Sequence, residues 1–482
     1  MIYRKRLCTK AERKMRLSVS DFSGGMNVDA DEHLLPFRYA TLCYNFEDAS
    51  GALREGAGVT EAFLRVGGTE IKIATPAAGT AGAWHYRKQG DERLLMMTPQ
   101  NAFFEISMAN PSALRALPGI RFTEKPQVLN YRLNGEDVLI LSSSKDTMVV
   151  YNGTSVRHVT GAPRVKSMCI HYERLFATVE DQPNALWFSD DLDPTNWQIS
   201  GTEAGYLEMV DERGALQKVV SFAGYLFVFR THGISRLTAY AEQSQFSVSQ
   251  LYVSSGRIYP DTVTVCGDRI LFLAEDGLYS FDGFTTKKAL HGLDRLFAEE
   301  DNVSAMAAFY NGKYYLALRL NYHDDRKILC EKESYRNNTL LQYDVATGKA
   351  HLLRGWDVLG LLALRSGEEG SLLLSLRGSV PKLGRLTASG KAFRQSMPKG
   401  WVSSETDFGT NERKHLQTMT FRTDYDVTLR VFCDDTRHDY FVSGTGVVSL
   451  RLNLVGKIFR FAFFSDSDKA YLCGPTLTYC VC

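Results

Sequence analysis

The length, composition and charge of the chain limit what it can be. Its 482 residues exceed one ordinary domain unless that domain is built from repeats, and 44% hydrophobic with 23% charged residues is typical of a folded chain. The 56 Lys and Arg residues balance 55 Asp and Glu residues, which argues against a globally basic nucleic-acid binder and against a globally acidic protein. No apolar run reaches the roughly 18–20 residues of a membrane span, and no secretory signal follows the basic start.

The first 20 residues form a predicted basic arm. Seven cations oppose the single Glu12, and they are Arg4, Lys5, Arg6, Lys10, Arg13, Lys14 and Arg16. Such an arm can bind nucleic acid or an acidic protein surface at moderate salt. It can equally be a solvated terminus.

From about residue 66 to 385 the chain is a succession of predicted β-hairpins. Short runs of Val, Phe, Tyr and Leu are separated by tight turns, and long amphipathic helices are missing, although segments 36–45 and 290–300 could each hold two or three helical turns. The central turns fall 38 to 56 residues apart, near Gln89-Gly90, Asn134-Gly135, Tyr172-Glu173, Ala223-Gly224, Gly267-Asp268, Asn311-Gly312 and Gly367-Glu368. A unit of about 40–50 residues with four strands is a β-propeller blade. Seven blades fit best, with six or eight possible, and a large β-sandwich array is the alternative.

Outside the repeats the sequence predicts three further parts. Residues 21–65 form a lead-in segment that packs on the propeller or on a neighbouring subunit. Residues 386–400 are a polar, turn-rich linker. From residue 401 to 482 the repeat is lost, and shorter strands predict a small β-sandwich. The predicted fold class is therefore all-β, a β-propeller of about seven blades followed by a C-terminal β-sandwich.

Motifs of chemistry are mostly missing, so the sequence predicts no enzyme, no cofactor and no metal site. Phosphate-binding, dinucleotide-binding, nucleophile-elbow and zinc-protease patterns are absent. The nine cysteines are scattered and odd in number, which favours reduced thiols over a disulfide framework. Cys473, Cys480 and Cys482, with Cys433 and His438, could form a thiolate site, but buried strand cysteines explain the pattern as well.

Residues 189–197 resemble the Asp box of sialidase-like propellers, which is a structural turn without a catalytic role. This resemblance leaves open an alternative function. The chain could be a glycan-binding propeller or, less readily, a sialidase-like glycan-cleaving propeller used in host-surface recognition. A cytoplasmic scaffold propeller is a third possibility, although its usual repeat signatures are absent.

The lead-in segment carries the most specific pattern. Its residues are Phe22, Gly24, Gly25, Asn27, Pro36, Asn45, Gly51, Arg54 and Gly56. The glycines permit positive φ, and Arg54 would be free to reach a carboxylate. This pattern resembles the opening of phage tail and head-completion proteins, and the stretches 174–197 and 269–279 resemble blades of the same group.

The resemblance implies a non-enzymatic structural protein of a phage or prophage tail. The most similar group is the propeller-bearing tail nozzle, or tail hub, of short-tailed phages, which forms a ring below the portal and adaptor and through which the genome is delivered. Implied partners are other copies of the chain in a homo-oligomeric ring, the portal, adaptor and other tail proteins, and double-stranded DNA in transient contact. The implied location is the virion tail after synthesis in the host cytoplasm. The arm and lead-in residues would contact neighbouring subunits or DNA, and a smaller neck or baseplate role is also possible.

Overall fold

The computed structural model describes residues 14–18, 21–240, 243–321, 334–366 and 369–482. Within these ranges the regular secondary structure is almost entirely β-strand. The helical elements are three 3-10 turns, η1 Glu32–Leu34, η2 Gln243–Gln245 and η3 Pro260–Thr262, and one short helix, α1 Asp294–Ala298. No helix among the described residues has the length and apolar character needed to cross a bilayer. The strands before the repeats are β1 Met15–Ser18, β2 Ala40–Tyr44, β3 Phe46–Ala49, β4 Ala52–Glu55, β5 Gly58–Glu61, β6 Phe63–Val66 and β7 Thr69–Lys72.

Six antiparallel four-stranded sheets then follow one another along the described chain, each made of four consecutive strands. The first three sheets are β8 Gly82–Tyr86, β9 Arg93–Met97, β10 Phe103–Ser107 and β11 Asn110–Ala116; β12 Gln127–Leu133, β13 Glu136–Ser142, β14 Val149–Tyr151 and β15 Val156–His158; β16 Val165–His171, β17 Arg174–Val179, β18 Ala185–Phe188 and β19 Gly205–Glu208. The next three are β20 Leu216–Phe222, β21 Tyr225–Arg230, β22 Gly233–Thr238 and β23 Ser247–Val253; β24 Thr264–Val265, β25 Ile270–Ala274, β26 Gly277–Phe281 and β27 Thr286–Lys288; β28 Met306–Tyr310, β29 Lys313–Leu318, β30 Thr339–Asp344 and β31 Ala350–Arg354.

A further sheet combines strands from both ends of the repeat region. Its consecutive strands are β32 Val358–Ser366, β33 Glu369–Leu376 and β34 Lys382–Thr387. The fourth strand is β5, which pairs antiparallel with β34 and places Thr60 opposite Arg385. Two short strands, β35 Lys391–Ala392 and β36 Gln395–Ser396, extend this sheet beyond β5. The sheet therefore needs residues that lie more than 300 positions apart in the chain.

The predicted turns that lie in the described ranges join the first and second strands of the sheets. The turn at Asn134-Gly135 connects β12 to β13, and Asn311-Gly312 connects β28 to β29, with positive φ at all four residues. This is the backbone that tight hairpins require, because both central residues turn in the left-handed region. The predicted turn at Gly367-Glu368 lies outside the described residues.

The sheets are arranged in a closed order. Among the first strands of the sheets, β16 packs between β12 and β20, and β28 packs between β24 and β32. Strand β32 of the last sheet returns to β8 of the first. Separate hydrophobic clusters fill the spaces between successive sheets, as where Leu139 of β13 meets Leu95 of β9. The cluster of Leu373 and Met96 joins the last sheet to the first. This arrangement is consistent with a β-propeller.

Two more sheets enclose one hydrophobic core at the C-terminal end. Their C-terminal strands are β37 Lys399–Ser403, β38 Lys414–Thr423, β39 Val427–Cys433, β40 Thr436–Val442, β41 Gly446–Gly456, β42 Phe459–Ser465 and β43 Tyr471–Val481. One sheet has the order β3-β4-β43-β38-β41 with β1 also on β43, and the other has the order β2-β37-β42-β39-β40. The shared core contains Trp401, Phe421, Leu429 and Phe461.

The predicted helix at 36–45 is wrong, because this segment contains strand β2. Strand β2 pairs with β37, and its three buried residues are Ala40 in the core of the C-terminal sheets and Leu42 and Tyr44 in a smaller cluster with Val402 and Phe464. The helix predicted at 290–300 is limited to α1. The domain boundaries stay a prediction, and the structure distributes the strands of 21–65 among several sheets.

Closure of the last sheet by β5 can be tested with Val59→Ala. Val59 is fully buried and packs in one cluster with Leu372 and Leu374. Loss of its two methyl groups should lower the free energy of unfolding by about 2 kcal/mol, because a cavity remains in the core. Urea denaturation measures the change. The matched control is Val248→Ala on β23, where the side chain is 46% exposed and the loss should stay below about 1 kcal/mol. An equal loss of unfolding free energy in Val59→Ala and Val248→Ala would contradict a structural role for β5.

Candidate functional site

The structure describes only part of the predicted basic arm. Arg4, Lys5, Arg6, Lys10 and Arg13 lie outside the described residues. Lys14 is exposed, and Arg16 is exposed on β1 opposite Thr478 of β43. The described end of the arm is therefore an outer strand of a C-terminal sheet, with its cations pointing away from the core.

Phe22, at the start of the lead-in pattern, is a core residue of the C-terminal sheets. Its ring lies 5.0 Å from the ring of Trp401 in an edge-to-face arrangement, and 6.5 Å from that of Phe463. Only 2% of Phe22 is exposed. Aromatic pairs in this geometry add stabilisation beyond the area that they bury. The lead-in segment is thereby fixed to the C-terminal core.

The next motif residues guide the chain from that core towards the fifth sheet. Gly24 lies so close to the carbonyl of Arg38 that a Cβ atom would stand only 2.7 Å from the oxygen. Gly25 has a φ of +72°, and its carbonyl accepts from the N–H of Ala40 at 2.8 Å. Asn27 accepts from two following backbone N–H groups at 3.0 and 3.1 Å and so closes a turn. The lead-in path is therefore fixed by backbone geometry.

Asp29 and Pro36 complete this part of the path. The Asp29 carboxylate accepts from the N–H groups of Asp294 and Arg295, both at 2.9 Å, at the start of α1. The carbonyl of Pro36 accepts from Tyr39 at 3.0 Å in the turn before β2. The lead-in segment thus contacts the fifth sheet before it returns to the C-terminal sheets.

Asn45 lies where the repeat sheets meet the C-terminal sheets. It is buried, with a φ of 58°. Its Nδ2 donates to the carbonyls of Arg354 at 3.0 Å and Pro398 at 2.8 Å, and its Oδ1 accepts from the Arg354 N–H at 2.7 Å. Its own N–H donates to Leu352, and its carbonyl accepts from Gly56, both at 2.8 Å. One side chain and its backbone therefore connect β31, the segment before β37, and the lead-in strands.

The last motif residues surround Asn45. Gly51 has a φ of +85° in the β3–β4 turn. A Cβ atom on Gly56 would lie 2.9 Å from the Leu353 side chain and 3.0 Å from the Asn45 carbonyl, so only glycine fits. The guanidinium of Arg54 lies over the ring of Tyr471, 5.6 Å from its centre. Arg54 therefore makes a cation–π contact on the surface of the C-terminal sheet.

Sequence reasoning missed one polar residue of this region, Lys399. It is fully buried, and its Nζ donates to the carbonyls of Met397 at 2.8 Å and Ser467 at 2.6 Å. Burial lowers the pKa of Lys399 to about 8. A lysine in a polar linker gives no sequence signal of burial, because the β42–β43 turn that covers it lies almost 70 residues later.

We call the contacts formed by Phe22, Asn45, Arg354, Pro398 and Trp401 the joint. They consist of aromatic edges and hydrogen bonds to backbone groups. Such contacts hold two groups of sheets in a fixed relation. In the described part of the chain, no cluster of three His, Cys, Asp or Glu side chains is placed to hold a metal ion.

The segment that resembles an Asp box forms a closed turn. Asp193 Oδ1 accepts from the Thr195 N–H at 2.9 Å and from its hydroxyl at 2.6 Å. Asp190 accepts from the Asn196 side chain at 2.8 Å, and Trp197 is buried. Both carboxylates are thus occupied within the turn, which is the structural role that the sequence predicts for it.

His171 is a second feature that the sequence did not reveal. It lies on β16, and its Nδ1 is 2.9 Å from the Ser221 hydroxyl of β20. Only 3% of the residue is exposed, and its Nε2 has no hydrogen-bond partner among the described residues. Because burial disfavours the charged ring, the pKa of His171 falls to about 4.

The joint can be tested with two substitutions of Asn45. Asn45→Ala should lower the free energy of unfolding by about 3 kcal/mol, because three buried backbone groups lose their partner and alanine is strained at positive φ. Asn45→Gly loses the same hydrogen bonds without the strain and should be about 1 kcal/mol less harmful. Chemical denaturation measures both. Asn134→Ala, at a φ of 50° in an exposed turn, is the control and should cost about 1 kcal/mol. A cost at Asn45 no larger than at Asn134 would contradict the role of its hydrogen bonds.

His171 predicts a pH dependence of stability. Its pKa in the folded chain is about 4, below its usual value of 6.5, so the unfolded chain binds the proton more readily. The contribution of neutral His171 to the free energy of unfolding should therefore be fully present above about pH 6.5. It should decrease as the pH falls towards 4. The midpoint of urea denaturation at pH 7.5 and pH 5 measures the decrease, which should be smaller in His171→Asn. His158→Asn, on exposed β15, is the control and should keep the wild-type slope. An unchanged slope in His171→Asn would contradict the prediction.

No family model and no curated protein matches the chain. Solved structures with a similar fold include PorZ, a surface component of the type-IX secretion system of Porphyromonas gingivalis, at 11% identity and a TM-score of 0.41 over 77% of this chain and 46% of that chain. The chain thus spans less than half the length of that protein. The BBS1N structure in complex with ARL6DN matches at 10% identity and a TM-score of 0.43 over 72% of this chain and 98% of that chain. Raptor of Chaetomium thermophilum matches at 8% identity and a TM-score of 0.44, over 71% of this chain and 29% of that chain. No function follows from matches at this level.

Proposed function

We propose that the repeat sheets are the seven blades of one β-propeller and that the C-terminal sheets form a β-sandwich. The described strands supply six local sheets and a seventh completed by β5. Hydrophobic clusters between successive sheets, including the one from the last sheet to the first, support this count. The core that both C-terminal sheets share supports the sandwich.

We further propose that the protein is a non-enzymatic structural component of a phage or prophage tail. It would be a ring-forming nozzle or hub below the portal and adaptor through which the genome is delivered. The observation that carries this proposal is the use of the lead-in residues. Phe22, Asn45 and Gly56, which belong to the pattern that resembles tail-completion proteins, all lie in or against the joint. A ring subunit needs such a joint, because its two parts must present surfaces to different neighbours at a constant angle.

The free edge of a C-terminal sheet supports assembly with further copies. Strand β41 is 11 residues long and is the last strand of its sheet in the described chain. Two valines on it are exposed, Val447 at 76% and Val455 at 46%. A long strand edge with exposed apolar side chains is a template for pairing with another chain. A neighbouring copy in a ring would cover it.

Glycan binding is the second candidate function, and one observation favours it. Tyr172 and Tyr240 are 55% and 64% exposed, and their rings lie 5.7 Å apart. Each exposed tyrosine offers an apolar ring face and a polar hydroxyl, and this combination suits contact with sugar rings. Tyr172 lies in the β16–β17 turn and Tyr240 lies just after β22, both remote in sequence from the joint.

Affinity purification from native cells tests the tail proposal. After prophage induction, the tagged chain should recover portal, adaptor or tail-fibre proteins in stoichiometric amounts, identified and quantified by mass spectrometry. Val455→Lys should reduce this recovery several-fold, since a charge on the β41 edge opposes strand pairing. The matched control is Val248→Lys on β23, where the native valine is also 46% exposed.

Two outcomes would overturn the proposal. One is recovery of no virion protein, together with binding to cell-wall or surface sugars that Tyr172→Ala abolishes, which would establish the glycan function. The other is recovery of a defined set of host proteins with no virion protein, which would establish a scaffold.

A further inference from the structure

The outer face of the sheet that contains β43 carries an ordered set of arginines and hydroxyls. Its arginines are Arg16 on β1, Arg54 on β4, Arg422 on β38 and Arg451 on β41. The hydroxyl side chains between them are Ser18, Thr418, Thr420, Ser449, Thr476 and Thr478. We call this surface the arginine face.

The strand register places these side chains on one side of the sheet. One row across four strands reads Arg16, Thr478, Thr418 and Arg451 as directly paired residues. The residues that alternate with them in the strands, such as Met419 and Leu477, lie in the hydrophobic core. Because successive side chains of a strand point to opposite faces, the row points away from that core.

A second and a third row extend the face along the strands. The second row pairs Ser18 with Thr476 and Thr420 with Ser449, and the hydroxyls of each pair lie 3.1 Å apart. The third row pairs Arg422 with Cys473 of β43 and with Val447 of β41, and beyond it Arg54 pairs with Tyr471.

Tyr471 orients two of the arginines. The guanidinium groups of Arg54 and Arg422 lie 5.6 and 5.8 Å from the centre of its ring. Arg422 nevertheless keeps 57% of its side chain exposed. Stacking on an aromatic ring restricts the guanidinium without consuming its N–H donors. Arg54 is exposed, and Arg422 uses its Nε–H on Asp424 at 3.5 Å, so the remaining guanidinium N–H groups of both arginines are not used by the stacking.

The dimensions of the arginine face follow from sheet geometry. Strands lie about 4.8 Å apart, so Arg16 and Arg451 are separated by about 14 Å across three strand spacings. Residues along a strand rise about 3.4 Å each, so Arg422 lies about 14 Å from the row of Thr418. A strand of duplex DNA has one phosphate per about 3.4 Å of axis, so about four phosphates of each strand fit within this span.

The charge on this face differs from that of the whole chain. The chain has nearly equal numbers of cations and anions. Within the described residues, the carboxylate paired with an arginine of this face is Asp424, 3.5 Å from Arg422. Glu47 on β3 lies directly opposite Arg54, so the four cations of the face are opposed by two carboxylates and its net charge is positive. Arginine with serine and threonine hydroxyls is the donor set that contacts phosphates in protein–DNA complexes.

We propose that the arginine face binds the phosphodiester backbone of double-stranded DNA without regard to sequence. The proposal deepens the proposed tail function and rests on it. A flat sheet offers no helix or ribbon that could enter a groove and read base edges. Sequence-independent contact suits a surface along which a genome slides, since phosphate contacts form and break without a preferred position.

The test is a titration of a labelled 25-base-pair duplex of random sequence with the full-length chain. Fluorescence anisotropy measures the binding at a series of salt concentrations. With four phosphate contacts, the slope of log K against log salt should be about −3.6, and affinity should fall about 100-fold between 50 and 200 mM salt. The double variant Arg422→Gln and Arg451→Gln should reduce the slope by about 2 and weaken binding about 50-fold at 100 mM salt.

The matched control is the double variant Arg121→Gln and Arg157→Gln. It removes the same charge from two exposed positions, one in the connection between the first and second repeat sheets and one on β15. It should keep the wild-type slope, and thermal unfolding should show both variants folded. Absence of duplex binding by the wild-type chain would overturn the proposal. Equal losses in both double variants, or none in either, would also overturn it, since binding would then come from net charge or from the arm.

Tighter binding to vesicles of anionic phospholipid than to the duplex, lost in the same double variant, would assign the face to a membrane surface and overturn the DNA proposal. The purification from native cells identifies protein neighbours, and the titration measures DNA binding. Either can therefore fail while the other succeeds.

Discussion

The pairing of β5 with β34 is the contact on which the other long-range contacts of the protein depend. The six local sheets need only hairpins, which close loops of a few residues at small entropic cost. The sheet of β32, β33 and β34 obtains its fourth strand from residues 58–61, so its completion closes a loop of more than 300 residues. Buried Val59 compensates part of that cost. Once β5 is in place, the lead-in strands on one side and β35 on the other are held near the C-terminal sheets.

The joint uses buried polar groups where an apolar contact would also have been stable. Asn45 satisfies three backbone groups of Arg354 and Pro398, and Lys399, next to Pro398 of the joint, donates to two carbonyls. Hydrogen bonds of this kind add little net stability, but an unsatisfied buried partner is costly. An alternative angle between the two groups of sheets would leave these partners unsatisfied. The polar joint therefore selects one arrangement, whereas apolar contacts alone would tolerate small rotations.

The two functional proposals place different demands on the C-terminal sheets. Assembly would use the backbone groups along the edge at β41, while the exposed Val455 lies on the same outer side of that strand as Arg451. DNA contact would use the outer face, where Arg422 and Arg451 stand above the sheet. Edge and face are perpendicular, so a copy paired at the edge would leave the face free. In a ring of such subunits the arginine faces would recur at regular intervals, each contributing a few salt-sensitive contacts.

The sequence by itself determined the local architecture, and tertiary contacts decided the rest. Turn residues such as Asn134-Gly135 specify hairpins because their positive φ values are a local property, so the repeat of four-stranded units was predictable. The strand at β2 was not predictable, because its short pattern also fits a helix and only pairing with β37 decides between them. The lead-in pattern identified Asn45 and Gly56, yet their partners Pro398 and Leu353 lie about 300 residues or more away and no local signal names them. Burial of Lys399 and the alignment of Arg16 with Arg451 likewise exist only after distant strands pair, because register between strands is set by the fold and not by neighbours in sequence.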